Sequence, residues 1–349
     1  KALFAEAWGG LPDAEFLAVL DPALAELRER LYTTAHSSDT RAGELTAEWA
    51  ERLGLPVGIP VAVGAFDAHM GAVGAGVKTG TLVKILGTST CDITVSPVGV
   101  PLGDVPGLCG MVEGSVLPGH HGIEAGQSAV GDIFLWFVNH LVPDSYGATV
   151  EEKFTGMERR LARLKPGESG LLALDWNNGN RTILVDTHLS GLLLGQTLQT
   201  EAHEIYRALI EATAFGALRI IERMEEHGIP VREVVNTGGL AVKNTTLMQI
   251  YADILGRPLK VAASEQTCAL GAALFGAVGG GANLAEIQGN CCRMRENVYM
   301  PDPDNHAVYG ELYALYRTIH DAFGVASWEG SLAGVMKELI AIRQRQRRH

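Results

Sequence analysis

Asp67 is the residue of this 349-residue chain whose type and position most clearly suggest chemistry. It follows the apolar run 61–65 and immediately precedes the small-residue stretch 68–77. Because strand ends in open α/β sheets face a ligand crevice, a carboxylate there could accept a proton from a substrate hydroxyl. Asp is equally suited to capping a helix. The pattern alone leaves both interpretations open.

A second candidate is the segment Leu-Gly-Thr-Ser-Thr at 86–90, in which residues 87–90 form the turn between the two arms, 81–86 and 91–95, of a predicted hairpin. Glycine at 87 lets a phosphate approach the backbone, and turn N–H groups and hydroxyls supply hydrogen-bond donors. The segment lacks the lysine of a P-loop. The alternative is an ordinary hairpin turn.

Two further segments carry candidate ligands. Gly238 and Gly239 follow a predicted strand at 231–236 and would offer a flat surface to an adenine or ribose, or would form an ordinary strand–helix turn. In segment 124–132, Glu124 and Gln127 could hydrogen-bond a polyol. Alternatively, Gln127 and its neighbour Ser128 could cap the apolar helix that follows.

Helical and strand patterns alternate along the chain and predict an α/β fold. Helices are predicted at 14–31, 46–53, 201–227, 244–256 and 267–278, and strands at 61–65, 231–236 and 259–263. Asn244 is expected to cap the helix that it begins. The small-residue stretch 68–77 is also predicted to be helical. Its glycines predict a close approach of this helix to a backbone or a ligand.

Composition limits the partners. The net charge of −12 argues against nucleic acid or an anionic membrane surface. The basic end, 343–348, is interpreted as a solvated helix end. No run of 18 apolar residues occurs, and five cysteines without zinc or disulfide spacing favour a reducing cytoplasm. The pair His120-His121 has no third metal ligand in the sequence pattern, so no metal site is predicted.

In their order along the chain, these motifs resemble the FGGY carbohydrate kinases, which share the actin-like (ribonuclease H-like) fold. The matching positions are Asp67 with the glycines after it, residues 87–90, Gly238-Gly239 with Asn244, residues 191–195 with 204–211, and the Ala-Leu-Gly-Ala-Ala segment 269–273. Within the family, segments 8–12, 124–132 and 174–181 resemble the bacterial L-ribulokinases.

The resemblance implies ATP- and Mg²⁺-dependent phosphorylation of a ketopentose, L-ribulose to L-ribulose 5-phosphate, with Asp67 as general base. The implied nucleotide contacts are Gly87, Thr88, Ser89, Thr90, Gly238, Gly239, Asn244 and Gly271. The implied sugar contacts are Asp67, Glu124 and Gln127.

The resemblance also implies a domain organisation: a remnant of the first, sugar-binding domain at 1–76, the second, nucleotide-binding domain at 77–335, and a basic tail at 336–349. The family's D-x-G-T-x-S hairpin is not found, so the chain is expected to be N-terminally truncated and inactive alone. The alternatives are a non-catalytic nucleotide-binding fragment or a kinase for xylulose, ribitol or glycerol. A homodimer is left open.

Overall fold

The computed structural model describes residues 4–6 and 9–348. Its strands, in chain order, are β1 (Arg41–Glu44), β2 (Pro60–Ala62), β3 (Thr81–Leu86), β4 (Thr90–Pro97), β5 (Gly110–Glu113), β6 (His120–Ala125), β7 (Leu172–Leu174), β8 (Leu192–Leu194), β9 (Glu233–Thr237) and β10 (Leu259–Val261). Its α-helices are α1 (Ala14–Leu20), α2 (Pro22–Arg28), α3 (Ala47–Leu53), α4 (Asp67–Gly74), α5 (Gly131–Leu141), α6 (Val150–Leu161), α7 (Ala202–Glu226), α8 (Gly239–Lys243), α9 (Thr245–Leu255), α10 (Thr267–Gly279), α11 (Leu284–Cys291), α12 (Pro303–Gly324) and α13 (Val335–Arg348).

A six-stranded mixed sheet organises the molecule, with strand order β10-β9-β3-β4-β6-β5. The β10-β9-β3 part is parallel and the β3-β4-β6-β5 part is antiparallel. The predicted hairpin is formed by β3 and β4. The α/β prediction is confirmed by this sheet and the helices on its two faces.

The sheet is buried on both faces, because apolar residues of β3 and β9 alternate between two cores. Leu82 and Leu86 of β3 belong to the larger core, which includes α7, α9 and α12. Val83 of the same strand belongs to the smaller core, with α4 and α10. The sheet therefore separates a helical layer on one side from the α4–α10 pair on the other.

Two predicted elements differ from those observed. The predicted helix 14–31 is broken into α1 and α2, because Asp21 is extended and its side chain accepts from the Ala23 N–H, with Pro22 at the start of α2. The segment predicted as a basic tail is helical, and exposed Arg345, Arg347 and Arg348 form its last turn, in agreement with the solvated helix end expected for 343–348. Residues 335–348 form α13, which packs on the domain through three buried apolar side chains, Val335, Leu339 and Ile342.

Candidate functional site

The turn at residues 87–89 joins β3 to β4 and is docked on the beginning of α5. The Gly87 N–H donates to the Ser89 carbonyl at 3.0 Å. The Thr88 carbonyl accepts from the Val130 N–H at 2.8 Å, and the Gly87 carbonyl accepts from the Gly131 N–H at 3.1 Å. Gly87 and Thr88 are exposed. The carbonyls of Gly87 and Thr88 are thus held by the start of α5, while backbone and hydroxyl groups of the turn face outward.

Thr90, also predicted to contact phosphate, is buried and anchors the turn from below. Its Oγ1 accepts from the Gln127 N–H at 2.9 Å. The ammonium of Lys84 lies 2.9 Å from each oxygen of Asp92 and 3.0 Å from Gln127 Oε1, and both charged side chains are almost fully buried. This pair was not predicted from the sequence. Residues 84 and 92 face each other across the hairpin, so the hairpin register was the available signal.

Gln127 lies inside the protein and its amide is fully engaged. Its Nε2 donates to Asp175 Oδ2 at 2.7 Å and to the Thr213 carbonyl at 2.8 Å, and its oxygen accepts from Lys84. Only 4% of Gln127 is exposed. A side chain with its donors and acceptor satisfied internally favours a structural role over the predicted sugar contact. It does not cap α5 either, because that helix begins after Val130 without a side-chain cap.

Asp67 is the first residue of α4 and is exposed. The cap position before it is occupied by Phe66, and Asp67 Oδ1 accepts a local hydrogen bond from the Ala68 N–H, at 2.8 Å. The capping interpretation of Asp67 therefore does not hold in the structure. A carboxylate in the first turn is favoured by the helix dipole and remains accessible to a ligand.

His69 joins the beginning of α4 to β6. Its Nδ1 lies 2.7 Å from the Ser115 carbonyl and its Nε2 lies 3.0 Å from Glu124 Oε2. Because a carbonyl only accepts, Nδ1 carries a hydrogen, and the contact at Nε2 requires a second proton shared with the carboxylate. His69 is buried, whereas about a third of the Glu124 side chain is exposed. Asp67 and Glu124 are thereby held at the same end of the sheet.

The glycines of α4 and α10 allow these helices to touch. A Cβ at Gly74 would lie 2.0 Å from the Thr267 carbonyl, and one at Gly271 would lie 1.9 Å from the Met70 carbonyl. The prediction of close backbone approach is confirmed. Helix packing accounts for the glycine at 271, and its contact with a nucleotide stays a prediction.

The predicted adenosine segment adjoins the 87–89 turn. Gly238 has φ +98°, and a Cβ there would lie 2.3 Å from the Leu86 carbonyl, so only glycine suits the position. Gly239 is exposed with open space beside it. Asn244 caps α9 as predicted, accepting from the Leu247 N–H at 2.8 Å, and its Nδ2 donates to Glu158 at 2.6 Å.

Helix starts and strand ends converge here. Thr267, which begins α10, contacts Thr237 at the end of β9, with their hydroxyl oxygens 3.2 Å apart. A Cβ at Gly71 of α4 would lie 3.2 Å from Cys268 and 3.3 Å from Ile85 of β3. The positive ends of α4 and α10 therefore lie near the carboxyl ends of β3 and β9, an arrangement that favours anions.

A cavity of about 530 Å³ lies next to this site, between segments 4–6 and 32–38 on one side and the β5–β6 hairpin on the other. Its walls include Gly64 and Ala65, which precede Asp67, and Ser115, which holds His69. The volume is in the range of small-molecule sites.

Residues 4–6 and 9–348 lack the structural features of a metal centre and of a membrane span. Nowhere in this part do three or more His, Cys, Asp or Glu residues cluster as metal ligands would. Of its helices, none has the length and apolar character needed to cross a bilayer. The cytoplasmic assignment stays a prediction.

Comparison with known proteins places this geometry in a family. The model of the FGGY family of carbohydrate kinases, C-terminal domain, matches residues 82–280, more than half of the chain. The ribulokinase of Halalkalibacterium halodurans is 46% identical over 97% of the chain, and that of Geobacillus thermodenitrificans is 47% identical over 90%. The chain spans 61% and 57% of those two proteins.

Solved structures agree on the fold. A xylulose kinase from Rhodospirillum rubrum superposes with a TM-score of 0.73 at 28% identity, covering 86% of this chain and 60% of that one. A ligand-bound xylulose kinase from Lactobacillus acidophilus also gives 0.73, at 20% identity, and supports the fold alone. The mixed sheet has the actin-like (ribonuclease H-like) fold of these sugar kinases, as predicted. The chain belongs to the FGGY family of carbohydrate kinases.

Proposed function

We propose that this chain forms the nucleotide side, and part of the sugar side, of an ATP-dependent kinase that converts L-ribulose to L-ribulose 5-phosphate. The observation that carries the proposal is the contact between His69 and Glu124. This contact holds the start of α4, where Asp67 is exposed, at the end of the sheet from which the 87–89 turn projects.

The 87–89 turn is suited to bind the phosphates of ATP. Gly87 and Thr88 are exposed, and a Cβ at Gly87 would meet only the Ser89 carbonyl, at 3.6 Å, so the backbone can be approached closely. Gly238-Gly239 lies beside the turn, with open space at Gly239 for the nucleoside. When bound, ATP supplies the phosphoryl group and Mg²⁺ neutralises its charge, held mainly by phosphate oxygens and water.

Asp67 would act as the general base. Its carboxylate would accept the proton of the sugar 5-hydroxyl as that oxygen becomes the nucleophile. Glu124 would position the sugar by accepting hydrogen bonds from other hydroxyls, while His69 keeps its Oε2 in place. Phosphoryl transfer depends on such positioning and electrostatic stabilisation more than on covalent chemistry.

The choice of L-ribulose is supported by the names of the relatives that are 46–47% identical. A second candidate sugar is xylulose, because a solved structure that resembles the chain at 28% identity is a xylulose kinase. Ribitol and glycerol complete the substrate panel.

The test joins the chain to the part of a ribulokinase relative that it does not span. MgATP and each sugar are then supplied, with ADP release as the measure of turnover and calorimetry as the measure of MgATP binding. We expect Asp67→Asn to lower turnover by about 10²–10⁴-fold, the usual contribution of a general base, with nucleotide affinity unchanged. Asp304→Asn is the matched control, because Asp304 is an exposed first-turn acid of α12, away from this site.

Each outcome has one interpretation. Equal turnover by Asp67→Asn and the unsubstituted chain would refute the assigned role of Asp67. MgATP binding without turnover of any sugar would favour the non-catalytic nucleotide-binding fragment. Faster turnover of xylulose than of ribulose would replace the proposed substrate.

A further inference from the structure

Arg181 connects two parts of the proposed site. It ends the segment 177–181 that follows β7, and it is half-buried. Its Nη2 donates to the Thr90 carbonyl at 2.6 Å, and its Nε lies 3.4 Å from the Gly126 carbonyl. One guanidinium therefore contacts the backbone at the end of the 87–90 segment and at the end of β6.

The space around Gly126 is adapted to this guanidinium. A Cβ at Gly126 would lie 2.3 Å from Arg181 Nη2 and 2.1 Å from the Thr90 carbonyl, so any larger residue would displace the contact. Gly126 lies between Glu124, proposed to hold the sugar, and Gln127, whose N–H and carbonyl both bond Thr90. Arg181 thus bonds the carbonyls of Thr90 and Gly126 and links the 87–90 segment, here called the phosphate turn, to the end of β6.

We propose that Arg181 is a positioning residue that sets the separation between the phosphate turn and the sugar-binding end of β6. The planar guanidinium offers Nε and Nη2 in a fixed relation, which the single ammonium of lysine does not. The inference deepens the proposed function and rests on it for its catalytic meaning. The structural claim, that Arg181 orders these two segments, stands on the contacts alone.

The experiment compares Arg181→Ala and Arg181→Lys with Arg223→Ala. Arg223 is the matched control because its Nη1 donates to another loop carbonyl, that of Pro106, at 2.8 Å. Amide hydrogen exchange is followed in peptides covering 86–92 and 124–132, and MgADP binding is measured by calorimetry. Methylguanidinium is then added to the Arg181→Ala protein.

We expect both Arg181 variants to exchange roughly tenfold faster in these two peptides, the scale of one hydrogen bond to a charged group, and to bind MgADP about tenfold more weakly. Arg223→Ala should change neither measurement. Methylguanidinium should restore part of the protection in Arg181→Ala, which a general loss of stability would not permit.

Unchanged exchange in both peptides of a folded Arg181 variant would overturn the inference. If Arg181→Ala does not fold, Arg181→Lys, which keeps the charge and loses the fork, decides it by the same criterion. If the unsubstituted chain does not bind MgADP, the proposed function fails, and the exchange data still decide whether Arg181 orders the turn.

Discussion

Replacing Lys84 by methionine should destabilise the fold strongly, because its charge is paired in the interior of the protein. Lys84 contacts no proposed ligand, so the effect measures stability alone. The ammonium lies 2.9 Å from both Asp92 oxygens and 3.0 Å from Gln127 Oε1, with side-chain exposures of 0% for Lys84 and 1% for Asp92. Lys84→Met leaves the carboxylate buried without a counter-charge. Breaking a buried pair in this way costs about 3–5 kcal/mol.

A double-mutant cycle separates the pair from its surroundings. Asp92→Leu should cost about the same as Lys84→Met, because it leaves the ammonium unpaired in the core. The double variant removes both charges and leaves chiefly the unsatisfied Gln127 oxygen, a loss of about 1–3 kcal/mol. The double variant should therefore be more stable than either single variant.

Urea denaturation followed by circular dichroism gives the free energy of unfolding of the four proteins. Arg345→Ala is a suitable control, because its ion pair with Glu311 is about half exposed and should contribute at most about 1 kcal/mol. A loss below about 1 kcal/mol for Lys84→Met, or additive losses in the double variant, would contradict the argument that this pair is buried and coupled.

Three further predictions follow from single contacts. Gly74→Ala should lower the free energy of unfolding by about 1–3 kcal/mol, because its Cβ would overlap the facing helix. Gly310→Ala, in open space on α12, should raise it by about 0.5–1 kcal/mol; similar urea midpoints for the two would contradict this. Burial raises the pKa of Asp175 in the folded protein. The contribution of Asp175 to the free energy of unfolding is therefore full below the unfolded pKa of about 3.9 and is lost as the pH rises through the higher pKa of the folded state. Asp175→Asn should therefore lose less stability than the unsubstituted chain as the pH rises from about 4, and parallel profiles would refute this. Finally, His69→Leu should weaken L-ribulose binding more than His69→Gln, which can still donate to Glu124; equal affinities by calorimetry would exclude the positioning role of His69.

Local signals in the sequence determined much of the secondary structure and the order of the motifs. The β3–β4 hairpin, the long helix α7 and the Asn244 cap follow from apolar periodicity and from side-chain hydrogen bonds to nearby backbone, which depend on a few adjacent residues. The break at Pro22 was equally local, and the apolar periodicity of 14–31 concealed it.

The tertiary structure decided which polar residues face a ligand. Glu124 and Gln127 are three residues apart, yet β6 ends between them, so the first reaches His69 and the second turns into the core against Lys84 and Asp175. Burial depends on which distant segments pack on a residue, and no local pattern encodes that. For the same reason only the assembled fold brings Arg181 to the carbonyl of Thr90, 91 residues away in the chain.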